Sequence, residues 1–170
     1  EFPAKLGMVL ETAVARAFRE CLSAAGLEAE RLSLEITETV LLADSQTNAE
    51  VLHNLRRLGC RISLDDFGTG YSSLSYLRNF PFDNIKIDRS FVKDLSKAID
   101  GTGQPDAILR GIVDLAHGLG VTVTAEGVEN ETQAAELRTL GCDQGQGFFL
   151  GRPTVKEHLA GAMTQSGELS

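Results

Sequence analysis

The chain has 170 residues, 42% apolar and 24% charged, enough for one sizeable core and too apolar for a disordered polypeptide. Its formal net charge of −8 argues against a sequence-independent grip on DNA or on an anionic membrane, so a small anionic ligand would need a local cation or metal. No apolar run approaches the roughly 20 residues of a membrane span, and nothing resembles a signal peptide. The three cysteines, Cys21, Cys60 and Cys142, lack C-x-x-C spacing and read as reduced buried thiols. A cytoplasmic domain without DNA binding or membrane insertion is expected. Glu1-Phe2-Pro3 reads as the middle of a loop, so the chain is also expected to be a piece of something longer.

In chain order, Leu10, Val14, Phe18, Cys21 and Ala25 recur every three or four residues before Gly26, predicting an amphipathic helix over Leu6 to Ala25. Leu32 to Thr37 alternates apolar with polar and predicts a strand, with Glu38 just beyond it. Asp44 or Ser45 can cap a helix carrying Val51, Leu52, Leu55 and Leu58. A second strand carries Ile62 and Leu64 on its apolar side and Ser63 and Asp65 opposite, and Asp66 lies past its end. Gly68 and Gly70 then permit a sharp exit, and Ser72 or Ser73 can cap a short helix.

Asn84 to Asp88 predicts a third strand, Asp106 to Leu119 a helix and Val121 to Glu126 a fourth strand. Asn130 and Gln133 have capping-box spacing for a helix ending at Gly141. Gln146 to Leu150 is read as a fifth strand, with Phe148 and Phe149 in the core. Thr154 and Glu157 have capping-box spacing for a last helix.

Strands alternating with helices predict a parallel sheet, either open and doubly wound or closed as a barrel. A doubly wound sheet is covered on both faces, so its strands read as nearly continuous apolar runs. Here four strands are apolar on one side only, which favours a TIM-like (β/α) barrel with polar residues converging at the strands' C-terminal ends. Glu35, Asp65, Lys86, Glu126 and Gln146 occupy such positions. A complete eight-stranded barrel needs about 250 residues, so roughly the first third is absent and the barrel is incomplete.

Several carboxylates at one mouth repel unless cations compensate, and oxygen-bound hard divalent ions suit that task. Asp65 can bridge two ions, with Asp66 on the second and Glu35 and Glu126 as outer ligands, an arrangement suited to displacement at phosphorus. Lys86 can hold a nucleophilic water or a phosphate oxygen. Plainer roles compete with these: Glu35 as an ion-pair partner, Lys86 paired with Asp88, and the glycine turn with Ser72 as ordinary capping rather than a phosphate cradle. His53, His117 and His158 read as surface or packing residues on helices. Asp66-Phe67-Gly68 spells the magnesium tripeptide of protein kinases, but no glycine-rich nucleotide loop or H-R-D run accompanies it.

The runs LSLEITETVL, ISLDDFGTGYSSLSYLRNFPFDNIKIDRSFV, VTAEGVENETQ and GCDQGQGFFLGRP resemble the EAL domain of bacterial cyclic di-GMP phosphodiesterases, in order and over most of the stretch from Leu32 to Pro153. The resemblance implies the last five βα units of a TIM-like barrel that hydrolyses cyclic di-GMP to linear pGpG with Mg2+ or Mn2+. It assigns metal binding to Glu35, Asp65, Asp66 and Glu126, catalysis to Lys86 together with Glu126 and Gln146, and bracing of the following loop to Glu38, Asp88 and Glu129. That loop, Phe67, Gly68, Thr69 and Gly70 with its short helix, is implied as a homodimer contact, and fused sensory or GGDEF domains are implied for a parent protein. The Glu-Ala-Leu signature, the Arg that follows it and a strand Asn are absent from the chain. The isolated segment is therefore expected to be inactive or nearly so. The competing expectation is a cyclic di-GMP-binding or dimerisation module without turnover.

Overall fold

The structure is a computed structural model that describes residues 15–43, 45–68, 77, 80–98 and 105–153. Two units are distinguished, residues 1–65 with 70–83, and residues 66–69 with 84–170.

In the first unit, helix α1 (residues 15–25) leads through a 3-10 turn at Ala29–Arg31 into strand β1 (Ser33–Thr37). Helices α2 (Glu38–Ala43) and α3 (Ser45–Arg57) precede strand β2 (Arg61–Phe67), which pairs in parallel with β1 from Ser33↔Arg61 to Thr37↔Asp65. Leu41, Leu52, Leu55, Ile62, Leu64, Phe80 and Phe82 are buried, with the rings of Phe80 and Phe82 5.9 Å apart. Asp83 fastens the start of β2. Its amide donates to the Ile62 carbonyl, its Oδ2 accepts from the Ile62 amide at 2.9 Å, and Arg56 at the end of α3 pairs with Oδ1 at 3.0 Å.

The second unit holds strand β3 (Asn84–Ile87), helices α4 (Arg89–Ala98) and α5 (Pro105–Gly118), strand β4 (Thr122–Glu126), helix α6 (Glu131–Leu140) and strand β5 (Gln144–Gln146). β4 pairs in parallel with both β3 and β5. Alternation sends Ile85, Ile87, Val123 and Ala125 to one face. These residues are buried, as are Val92 and Leu95 of α4, Leu109 and Val113 of α5 and Leu137 of α6. The device at Asp83 recurs here. The Asp143 amide donates to the Val123 carbonyl, Asp143 Oδ2 accepts from the Val123 amide at 2.8 Å, and His117 at the end of α5 lies 3.0 Å from the same oxygen. The succession of parallel strands and covering helices is the α/β architecture expected.

Asn130 caps α6 by accepting from the Gln133 amide, and Gly141 ends that helix in the left-handed region, both as the spacing predicts. Four expectations change. β2 continues through Asp66 to Phe67 rather than ending before Asp66. α2 and α4 form where no helix is expected, because Glu38 starts α2 directly after Thr37 and only Asp88 separates β3 from α4, too short a break to signal a boundary. The fifth strand lies at Gln144–Gln146, so Phe148 and Phe149 fall in the turn beyond it, 61% and 45% exposed, with Arg152 over the Phe148 ring. Cys21 is exposed while Cys60 and Cys142 are buried, since Ala15, Phe18 and Leu22 form the half-buried stripe of α1. The helices expected near Ser72 and after Thr154, and the start of the first helix, lie outside the described residues.

Burial pushes the Cys142 thiol up to about 12 and also raises Cys60. In the native protein one thiol, Cys21, should react readily with a disulfide reagent, and all three after denaturation; fast reaction of three native thiols would contradict the packing around β2 and β5. At the start of α4, Asp88 Oδ1 accepts from the Ser90 amide at 2.9 Å. The Ser90 side-chain bond, with backbone bonds from Ser90 and Arg89, holds the Asp88 carboxyl below its ordinary value. Its contribution is full above the unfolded value of about 3.9 and is lost as pH falls through the lower folded one. Asp88→Ala should therefore cost about 1 kcal/mol at neutral pH in urea unfolding, with the difference from wild type shrinking in acid.

Candidate functional site

β3 and β4 align Lys86 with Thr124, so Glu126 stands one side-chain step further along the same face. Lys86, 7% exposed, extends along that face and brings Nζ to 2.6 Å from Glu126 Oε1. A buried ammonium without a partner would be costly, and Glu126 answers it. This replaces the alternative pairing of Lys86 with Asp88, which caps α4 instead. Below the pair, Thr122 and Thr124 hydroxyls donate to Asn84 Oδ1 at 3.1 Å, and Thr124 lies 3.2 Å from Gln144 Oε1. This layer was not singled out from sequence, although Thr122 and Thr124 share the period of Glu126.

Asp66 has φ +54, in the left-handed region that Asp tolerates better than most residues. Regular alternation would place Asp66 with Leu64 on the apolar side. The left-handed turn breaks the alternation, and a carboxylate oxygen of Asp66 comes within 4.8 Å of one of Glu126. Phe67 is buried, and Gly68, at φ +94, lies where a Cβ would meet the Phe91 ring at 2.6 Å. Thr69 and Gly70 lie outside the described residues.

The segment after Glu126 is fixed tightly. At Gly127, φ +73, a Cβ would stand 2.5 Å from Arg89 Cβ. The Val128 amide donates to the Gln146 carbonyl, the Phe149 amide to the Val128 carbonyl, and a Cβ on Gly147 would overlap the Val128 backbone at 2.2 Å. This clasp keeps Gln146, exposed and in register with Glu126, at the strand ends. Glu129 is exposed, and its amide donates to Gln133 Oε1.

In the first unit, Glu35 aligns with Ser63, and Asp65 follows Ser63 by two residues, so Glu35 and Asp65 share a face of the β1–β2 pair. Glu35 is exposed and Asp65 half-buried. Glu38 opens α2, 8% exposed, and neither of its carboxylate oxygens has a hydrogen-bond partner among the described residues. The donor atoms facing one another in the second unit, from Asp66 and Glu126, are carboxylate oxygens, the donor type of hard divalent cations rather than of soft ones.

Residues 8–153 match the EAL domain family. The bifunctional diguanylate cyclase/cyclic di-GMP phosphodiesterase MucR of Pseudomonas aeruginosa is 43% identical over 83% of the chain and 20% of that protein. The solved structure described as PaMucR phosphodiesterase in complex with c-di-GMP superposes with a TM-score of 0.76, covering 83% of this chain and 56% of that one. The EAL domain of Mycobacterium smegmatis DcpA gives 0.80 at 36% identity, covering 89% and 66%. Klebsiella pneumoniae BlrP1, solved with manganese and cyclic di-GMP, gives 0.71 at 35% identity, covering 90% and 36%. The chain thus spans about a fifth of the length of the curated relative and less than two thirds of the solved chains. With the family match extending over residues 8–153 and the site lying on its strand ends, the chain belongs to the EAL domain family.

Proposed function

We propose that residues 1–170 form the C-terminal portion of an EAL-type phosphodiesterase domain, and that the complete domain hydrolyses cyclic di-GMP to linear pGpG with Mg2+ or Mn2+. The observation that carries this reading is Lys86 held 2.6 Å from Glu126, with an Asp66 oxygen within 4.8 Å of a Glu126 oxygen. The c-di-GMP complex of PaMucR and the manganese complex of BlrP1 support the ligand and the metal class.

Glu35, Asp65, Asp66 and Glu126 would hold the divalent ions. When bound, such ions activate water and stabilise the attacking and leaving oxygens at phosphorus. Lys86 positions a water or phosphate oxygen through its ammonium, while Glu126 fixes the direction of that ammonium. Gln146 lines the site as an uncharged hydrogen-bonding group. Glu38, Asp88 and Glu129 brace the loop Phe67–Gly70, and Asp88 also fixes the start of α4. The same loop serves a homodimer, and the bifunctional name of MucR supports a parent with a fused cyclase or sensory domain.

In the parent protein with Mn2+, Asp65→Ala should abolish pGpG formation. Lys86→Ala should lower the rate by about a hundredfold or more while largely sparing Mn2+ affinity. Wild-type turnover by the Asp65 variant would end the metal assignment, and binding of cyclic di-GMP without pGpG by the wild-type parent would favour a receptor. The 170-residue chain alone should form pGpG more than about tenfold more slowly than the parent, equivalent to roughly 1.4 kcal/mol of barrier. A rate within that margin would show that the preceding strands are dispensable.

A further inference from the structure

Gln133 stands on the first turn of α6 and is 4% exposed. Its amide donates to Asn130 Oδ1 at 3.0 Å, its Oε1 accepts from the Glu129 amide at 2.8 Å, and its Nε2 donates to the Val92 carbonyl of α4 at 3.4 Å. In an ordinary capping box the third helical residue reaches back to the capping residue's own amide, and Glu serves as well as Gln. Here the acceptor reaches one residue further, to Glu129, and the other end of the carboxamide is used on a different helix. Only an uncharged group with both a donor and an acceptor meets both demands, because a buried carboxylate would face the Val92 carbonyl.

The two tied segments are those that follow the reactive pair. α4 begins two residues after β3, which carries Lys86, and Glu129 lies three residues after Glu126. Gly127 already presses against Arg89, at the head of α4. We propose that Gln133 is a positioning residue that locks the segment after Glu126 onto α4, thereby fixing the approach of Glu126 to Lys86 and the origin of the Glu129 side chain. The metal and turnover consequences rest on the phosphodiesterase reading above; the structural tie does not.

The test compares Gln133→Leu, which loses both bonds, with Gln133→Glu, which keeps the acceptor for Glu129 and loses the donor to Val92. Thr139→Ala, on the exposed side of α6, serves as the control. In the 170-residue chain, Glu129 amide exchange should accelerate by about tenfold or more in Gln133→Leu and stay near wild type in Gln133→Glu. Mn2+ affinity should fall by about tenfold in Gln133→Leu and remain unchanged in Thr139→Ala. In the parent protein, kcat should fall in both Gln133 variants with little change in the KM for cyclic di-GMP. A folded Gln133→Leu chain with wild-type Glu129 exchange would overturn the proposal, as would Mn2+ affinity within about twofold of wild type. Should Gln133→Leu fail to fold, a Gln133→Glu parent with wild-type kcat overturns it equally. Absence of Mn2+ binding by the wild-type chain would count against the metal reading alone, leaving Glu129 exchange to decide on Gln133.

Discussion

A lysine ammonium buried beside a strand end must find a negative partner, and Glu126 supplies it to Lys86 at 2.6 Å. Much of the second unit serves this one pairing. The β3–β4 register sets the one-step offset, the Asn84–Thr122–Thr124 hydrogen bonds satisfy polar groups below it, and the clasp between Val128 and Gly147 closes the chain above it. Asp66 adds a second carboxylate near Glu126. Neighbouring carboxylates repel one another and favour a cation between them.

Much of this was readable because strands with a period of two declare their faces. Lys86 and Glu126 follow from alternation alone, and the shared face of Glu35 and Asp65 follows from the same rule once the β1–β2 register is known. Asp66 is different. Its approach to Glu126 depends on a left-handed backbone in an ordinary-looking strand, and Asp is only mildly enriched in that conformation. Its place beside Asp65 marked Asp66 as a candidate metal ligand, as did the family resemblance, but periodicity placed it beyond the strand and gave no sign of its turn toward Glu126.

The misread elements have a common physical origin. Asp88 alone separates β3 from α4 and caps that helix, and Glu38 begins α2 immediately after Thr37, so the glycine, proline and polar clusters that usually mark a boundary are missing. Phe148 and Phe149 resemble a buried strand because composition suggests burial, but Gly147 carries the chain out of β5 where any side chain would strike the Val128 backbone. Sequence pattern records the apolar content of such a stretch and not the close backbone approach that redirects it.

The aspartate fastenings at Asp83 and Asp143 have a kinetic consequence. Each closes a loop of nearly the same span, 21 residues from Ile62 to Asp83 and 20 from Val123 to Asp143, so the entropy of closure is nearly equal for both. Each closure ties a strand residue, Ile62 or Val123, to its aspartate by backbone and carboxylate bonds together. Contacts of such modest sequence separation lower the contact order, and low contact order favours fast folding. A parallel sheet, ordinarily slow to assemble, gains in these two closures contacts that span only about 20 residues each.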